Sequence, residues 1–99
     1  MLKIKWSNPA LGNLSKIEEY IAQDNQEAST RVSQYIYNLT KKLAVTPNMG
    51  VGGREPNTRE LFCSKYPYVI VYQVQENIIY IVQILHTKQR YPKSGQNIE

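Results

Sequence analysis

The 99-residue sequence predicts an α+β domain in which a helical hairpin packs on an antiparallel sheet. Apolar residues recur every three to four positions in the first half of the chain and every second position in the second half. The links between these segments are short, so elements adjacent in sequence must be adjacent in space. The predicted order is β-α-α-β-β-β in a single domain over residues 1–93, since the chain is too short for a second core. Residues 94–99 are predicted to be a disordered tail.

A short strand opens the chain, because Leu2, Ile4 and Trp6 alternate with lysines. Asn8 is a good N-cap and Pro9 suits the first helical position, so the first helix is expected to begin there. The apolar face of this helix comprises Ala10, Leu14, Ile17 and Ile21.

A second helix is expected to begin after Asn25, which follows a short polar interruption. Thr46 and Pro47 close it. Its apolar stripe comprises Ala28, Val32, Tyr35 or Ile36, Leu39 and Leu43. Two amphipathic helices joined by so short a turn must pack as an antiparallel hairpin.

Three strands are predicted over residues 58–63, 68–75 and 78–86, after a glycine-containing loop over residues 48–57. The links between them are too short for anything but hairpins, so the strands form an antiparallel meander. Strict alternation on the last strand places Ile78, Tyr80, Val82 and Ile84 on one face and Ile79, Ile81 and Leu85 on the other. The helices cover one face, and the other needs Trp6 and the C-terminal tail, or a partner.

Composition excludes several classes of protein. One histidine and one cysteine are too few for an ordinary zinc site or an internal disulfide, and the glycines form no nucleotide-binding motif. We therefore expect no metal and no cofactor. The sequence shows no signal peptide or apolar stretch long enough to span a membrane, which predicts a cytoplasmic protein without a membrane partner. Cys63 is predicted to be an inert, buried thiol.

The 12 basic and 8 acidic residues give a net charge of +4, and three of those charges come from Lys88, Arg90 and Lys93. A second, mixed cluster comprises Arg54, Glu55, Arg59, Glu60 and Lys65. These clusters are either solvated rims or surfaces for an anionic partner, namely nucleic acid or an acidic protein segment.

One constellation suggests catalysis. If the last strand stays extended beyond Leu85, then His86, Lys88 and Arg90 project from one face. Cleavage of RNA through its 2′-hydroxyl needs a base, a cation and an acid, and these side chains together with Tyr91 supply all three. The alternative is structural, with His86 bonded to a backbone carbonyl or packed on an aromatic ring.

The order and spacing of residues at the element junctions resemble the RelE/ParE superfamily of toxins from bacterial type II toxin–antitoxin modules, over about residues 4–92. The shared features are Trp6-Ser7-x-x-Ala10, Ile17-x-x-Tyr20-Ile21, Ala28, Leu43-x-x-x-Pro47-x-x-Gly50, Thr58-Arg59-Glu60-Leu61, Tyr66-Pro67-Tyr68 with Ile70-x-Tyr72, and Ile84-x-His86 with Arg90 and Pro92. The resemblance implies the small toxin fold of that superfamily. It also implies a cognate antitoxin, usually encoded beside the toxin, that orders on contact and forms a hetero-oligomer with it.

The superfamily contains ribosome-dependent ribonucleases of the RelE type and DNA gyrase inhibitors of the ParE type. Ribonuclease members typically carry an arginine in the middle meander strand where this chain has Val69, which favours a ParE-like toxin that binds gyrase. The alternative is an mRNA interferase that acts with the ribosome through His86, Arg90 and Tyr91. A further alternative is a degenerate toxin that only binds antitoxin. Target or antitoxin contacts are assigned to Arg54, Arg59, Glu60, Lys65, Lys88 and Arg90.

Overall fold

The structure is a computed structural model and describes residues 1–88. Its elements are β1 (Lys3–Trp6), α1 (Asn8–Ala22), α2 (Gln26–Leu43), β2 (Val51–Gly52), β3 (Arg59–Phe62), β4 (Tyr68–Gln75) and β5 (Ile78–His86). The predicted order of elements is confirmed, with the two-residue strand β2 added inside the predicted loop. The predicted tail and the end of the predicted domain lie outside the described residues.

The five strands form one sheet in the order β1-β5-β4-β3-β2. Strands β3, β4 and β5 make the predicted antiparallel meander. Strand β1 pairs with β5 in parallel, so the sheet is mixed rather than wholly antiparallel. No tight turn joins β1 to β5, and the intervening helices provide the long connection that a parallel pair requires.

Both helices begin at polar caps. Ser7 caps α1 because its Oγ accepts a hydrogen bond from the Ala10 N–H at 3.1 Å, so the predicted cap at Asn8 is wrong by one residue. The same hydroxyl donates to the Val82 carbonyl at 2.8 Å, which joins the start of α1 to β5. The predicted cap at Asn25 is confirmed, since its Oδ1 accepts from the Ala28 N–H at 3.0 Å.

The core lies between the helical hairpin and one face of the sheet. Its buried members are Ala10, Val32, Ile36, Leu43, Tyr68, Ile70, Tyr72, Ile79, Ile81 and Ile84. The predicted apolar faces of both helices pack here, except that Ala28 at the start of α2 is not part of this cluster. Trp6 also packs against this cluster, so the expectation that it covers the opposite face of the sheet is wrong.

Strand β5 contains a bulge that changes its alternation. Val71 of β4 lies opposite Gln83, whereas the next residue, Tyr72, lies opposite Ile81, so β5 has one extra residue at this point. Ile84 consequently shares the core face with Ile81 rather than lying on the other face with Tyr80. The assignment from strict alternation is therefore wrong beyond the bulge, and it is the bulge that sets the orientation of the end of β5.

Candidate functional site

A cleft of about 550 Å³ lies between α1 and the C-terminal end of β5. Its lining residues are Asn13, Lys16, Ile17, Tyr20, Tyr68, Ile84, Leu85, His86 and Lys88. The four residues from α1 recur at positions i, i+3, i+4 and i+7, which places them on one face of that helix. We refer to this feature as the α1–β5 cleft.

Hydrogen bonding and ring packing fix the walls of the α1–β5 cleft. Asn13 Oδ1 accepts a hydrogen bond from the Ile84 N–H at 3.0 Å, which ties α1 to β5 next to the bulge. Tyr68 lies opposite His86 in the sheet, and their rings meet edge to face with centroids 5.5 Å apart. Burial raises the pKa of Tyr68, with smaller contributions from Tyr20 and Cys63, so this phenol stays protonated at neutral pH.

His86 ends β5, and its ring has a defined hydrogen bond. The Nδ1 atom accepts from the Lys88 N–H at 3.1 Å, so the neutral ring carries its proton on Nε2. The predicted packing of this ring on an aromatic side chain is confirmed by its contact with Tyr68. The other structural expectation was a hydrogen bond from the ring to a backbone carbonyl. Instead, the Nδ1 atom accepts a hydrogen bond from a backbone N–H.

The extended conformation stops at His86, contrary to the condition for an alternating row of His86, Lys88 and Arg90. Residues 87 and 88 form a turn, and the Thr87 N–H donates to the Pro67 carbonyl at 2.9 Å. His86 and Lys88 nevertheless line the same cleft. Arg90 and Tyr91, the other predicted catalytic residues, lie outside the described residues.

Lys16 and Tyr20 line the cleft but were not among the predicted site residues. Both are exposed, and Tyr20 has 73% of its surface accessible. The signal in the sequence is the helical spacing that sets them beside Asn13, away from the apolar face of α1. That spacing alone does not reveal which strand end packs against the helix.

Arg59 bonds a loop of its own chain. Its Nη2 donates to the Gly50 carbonyl at 2.7 Å and to the Asn48 carbonyl at 3.3 Å. Its Nε is buried without a hydrogen-bond partner. The cation therefore fixes the chain between α2 and β2.

Glu60 follows Arg59 on β3 and projects from the opposite face of the sheet, level with Val71. Only 5% of its surface is accessible, and its Oε2 accepts a hydrogen bond from the Arg54 N–H at 3.2 Å. The predicted contact cluster is thus divided between buried and exposed positions. Lys65 is exposed at the β3–β4 turn, where its Nζ lies 5.8 Å from the centroid of the Tyr66 ring.

Two further positions bear on catalysis. Val69, the site of the arginine expected in ribonuclease members, is wholly buried and pairs with Leu85, one position away from the Tyr68–His86 pair, so it projects from the other face. Cys63 is half-buried rather than fully buried as predicted, and its partial burial raises the pKa of the thiol to about 11, which leaves it protonated at neutral pH and makes it a poor nucleophile.

Within residues 1–88, no group of three or more histidine, cysteine, aspartate or glutamate side chains is placed to hold a metal ion. No helix in the same range is both long and apolar enough to cross a membrane.

Comparison with known proteins identifies the family. The model for the ParE toxin of the type II toxin–antitoxin system parDE matches residues 4–91. Toxin Y4kP of Sinorhizobium fredii is 34% identical over 92% of this chain and 94% of its own length. Toxin RelE2 of Caulobacter vibrioides is 33% identical over 87% of this chain and 96% of its own.

Solved structures agree with this family. The chromosomal ParDE toxin–antitoxin system from P. aeruginosa matches with a TM-score of 0.77 and 26% identity, covering 87% of this chain and 96% of that chain. The intact E. coli RelBE complex matches with a TM-score of 0.65 over 85% of this chain and 94% of that chain, and its 12% identity supports the fold alone. The chain belongs to the ParE toxin family and is a type II toxin of the ParE/RelE superfamily.

Proposed function

We propose that this toxin arrests growth by binding DNA gyrase in the cytoplasm and that a cognate antitoxin neutralises it in a hetero-oligomer. The family model for ParE toxins and the ParDE structure support the gyrase branch. The ParDE toxin–antitoxin system among the structural matches supports the antitoxin partner. The basic segment that includes Lys88, Arg90 and Lys93 is the proposed contact with gyrase.

The observation that carries the gyrase proposal is Val69. A ribonuclease needs a cation opposite the negative charge that develops on the phosphate, and a buried valine supplies none. Its neighbours across the sheet are Phe62 and Leu85, which are also apolar. A protein that works by occupying a surface of its target needs no such cation.

We expect the purified toxin to inhibit supercoiling of relaxed plasmid by gyrase, and we expect added antitoxin to restore it. The measurement is gel separation of topoisomers over a toxin titration, with ribosome-bound mRNA incubated in parallel. Unchanged supercoiling together with truncated mRNA would overturn the proposal. Unchanged supercoiling, intact mRNA and normal growth on induction would instead identify a degenerate toxin that only binds antitoxin.

The second candidate is an mRNA interferase, and the clustering of His86, Lys16 and Lys88 around one cleft favours it. These side chains are an imidazole and two cations, the groups that RNA cleavage uses. In the hydrogen-bonded state seen here the neutral ring of His86 can donate a hydrogen bond from Nε2 to a phosphate oxygen. To act as the acid the ring would have to be protonated on both nitrogens, which breaks the bond between Nδ1 and the Lys88 N–H. The base would then come from another residue or from the other tautomer.

Under this second candidate, His86→Ala is expected to abolish mRNA truncation on the ribosome and to relieve growth arrest, because the proton donor is lost. Arg90→Ala is expected to do the same if that side chain supplies the cation. The assay is primer extension on ribosome-bound mRNA, with Lys42→Ala, at an exposed position on α2, as the control that stays active. Full toxicity of both His86→Ala and Arg90→Ala would eliminate the ribonuclease.

A further inference from the structure

We infer that the α1–β5 cleft receives a segment of the antitoxin in which a carboxylate side chain lies next to an apolar one. This inference rests on the antitoxin part of the proposed function and does not depend on gyrase being the target. Three properties of the cleft carry it, namely its charge, its floor and the state of its aromatic rings.

The charge of the α1–β5 cleft is uniformly positive. Lys16 and Lys88 contribute two ammonium groups, and none of the lining residues in the described part of the chain is acidic. Both lysines are exposed, so their charges are available to a partner. Charge complementarity at a rim of this kind speeds association and selects among partners, and here it selects a carboxylate.

The floor of the cleft is aliphatic. The side chains of Ile17 and Ile84 line it, and Ile84 belongs to the buried core, so the floor is continuous with the packed interior. The volume of about 550 Å³ holds a few side chains rather than a folded domain. An apolar side chain from an extended or helical segment would bury its surface here, while a neighbouring carboxylate met the lysines.

The aromatic rings distinguish a peptide from a nucleic acid. A single-stranded nucleic acid needs open ring faces on which its bases can stack. His86 is half-buried and meets the buried ring of Tyr68 edge to face, which leaves Tyr20 as the exposed ring among the described lining residues. One open ring above an aliphatic floor suits a peptide interface, in which tyrosine is enriched, better than a stacking platform.

The test uses the complex of this toxin with the antitoxin encoded in its own module. We expect Lys16→Glu and Lys88→Glu each to weaken the complex about tenfold at low ionic strength, and about a hundredfold together, because each places like charges in contact. The control is Arg31→Glu, which makes the same charge change at an exposed position on α2 outside the cleft. Binding is measured by titration calorimetry, and thermal melts of the free variants verify that they fold.

A second readout comes from the only histidine of the chain, since its ring signals in NMR spectra belong to His86 without ambiguity. We expect these signals to shift when the antitoxin binds. The inference would be overturned if the variant carrying both Lys16→Glu and Lys88→Glu, the doubly reversed variant, bound the antitoxin with wild-type affinity. It would also be overturned if the His86 signals did not shift. Binding of a fluorescent oligothymidylate that is lost in the same variants but not in Arg31→Glu would overturn it in favour of nucleic acid.

The two proposals fail separately. A toxin that binds its antitoxin through the cleft but leaves supercoiling unchanged refutes the gyrase target and keeps the docking site. A toxin that inhibits gyrase and whose doubly reversed variant binds antitoxin normally refutes the docking site and keeps the target.

Discussion

Replacing Tyr72 with phenylalanine is expected to lower the free energy of unfolding by about 2–4 kcal/mol, although it removes a single oxygen atom. Tyr72 is wholly buried at the centre of the sheet. Its hydroxyl donates to the Pro47 carbonyl at 2.8 Å and accepts from the Gly50 N–H at 2.9 Å. Phenylalanine would leave the buried Gly50 N–H and the half-buried Pro47 carbonyl without their partner, and an unsatisfied buried group costs about 1–3 kcal/mol.

Urea denaturation followed by circular dichroism measures this effect as a lower midpoint with an unchanged slope. Tyr37→Phe is the matched control, because Tyr37 lies on the outer face of α2 with 47% of its surface accessible. We expect that control to stay within about 0.5 kcal/mol of the wild type. Equal midpoints for Tyr72→Phe and Tyr37→Phe would show that the Tyr72 hydroxyl does not hold the loop.

Much of this fold follows from local rules that the sequence displays openly. Apolar residues recur every three to four positions in the helical hairpin and every second position in the meander, and this change separates the two parts of the fold. Short links then fix which elements are neighbours. Strands β4 and β5 consequently have the bounds predicted for them. The parallel partner of β5 was not predicted, because the pairing of β1 depends on contacts between the two ends of the chain.

The bulge shows why the orientation of the candidate site was harder to predict. A single extra residue near Gln83 reverses the alternation that follows, and no glycine or proline marks it in β5. The reversal brings His86 to the side of α1, where it meets Lys16 and Tyr20 across the cleft. The chemistry of His86 and Lys88 was visible in the sequence, whereas their neighbours on α1 required the folded chain.

Charge in the sequence likewise did not separate contacts with a partner from contacts within the fold. Arg59 and Glu60 belong to a dense run of charge, which predicts an exposed surface. In the structure the guanidinium of Arg59 binds two loop carbonyls, and Glu60 is buried on the other face of the sheet. Substitution of Arg59 therefore tests stability before it tests binding, whereas Lys16 and Lys88 are exposed and suit binding experiments.

Gly50→Ala is expected to destabilise the protein by about 2–3 kcal/mol, a cost typical of overpacking in a filled site. A Cβ atom at this position would lie 2.7 Å from the Glu60 carbonyl oxygen and 2.8 Å from the Tyr72 hydroxyl oxygen. The Glu60 carbonyl belongs to the backbone of β3, so it cannot move away from the added methyl group as the end of a flexible side chain would. The loop must therefore shift, which lengthens its bonds to Tyr72 and Arg59.

Gly52→Ala is the matched control, because a Cβ atom there meets nothing within 4 Å. We expect this variant to lie within about 0.5 kcal/mol of the wild type. The double variant Gly50→Ala with Tyr72→Phe is expected to lose less than the sum of the single losses, since both changes release the same loop. Strict additivity in urea denaturation, or equal midpoints for Gly50→Ala and Gly52→Ala, would contradict a loop held between Tyr72 and Arg59.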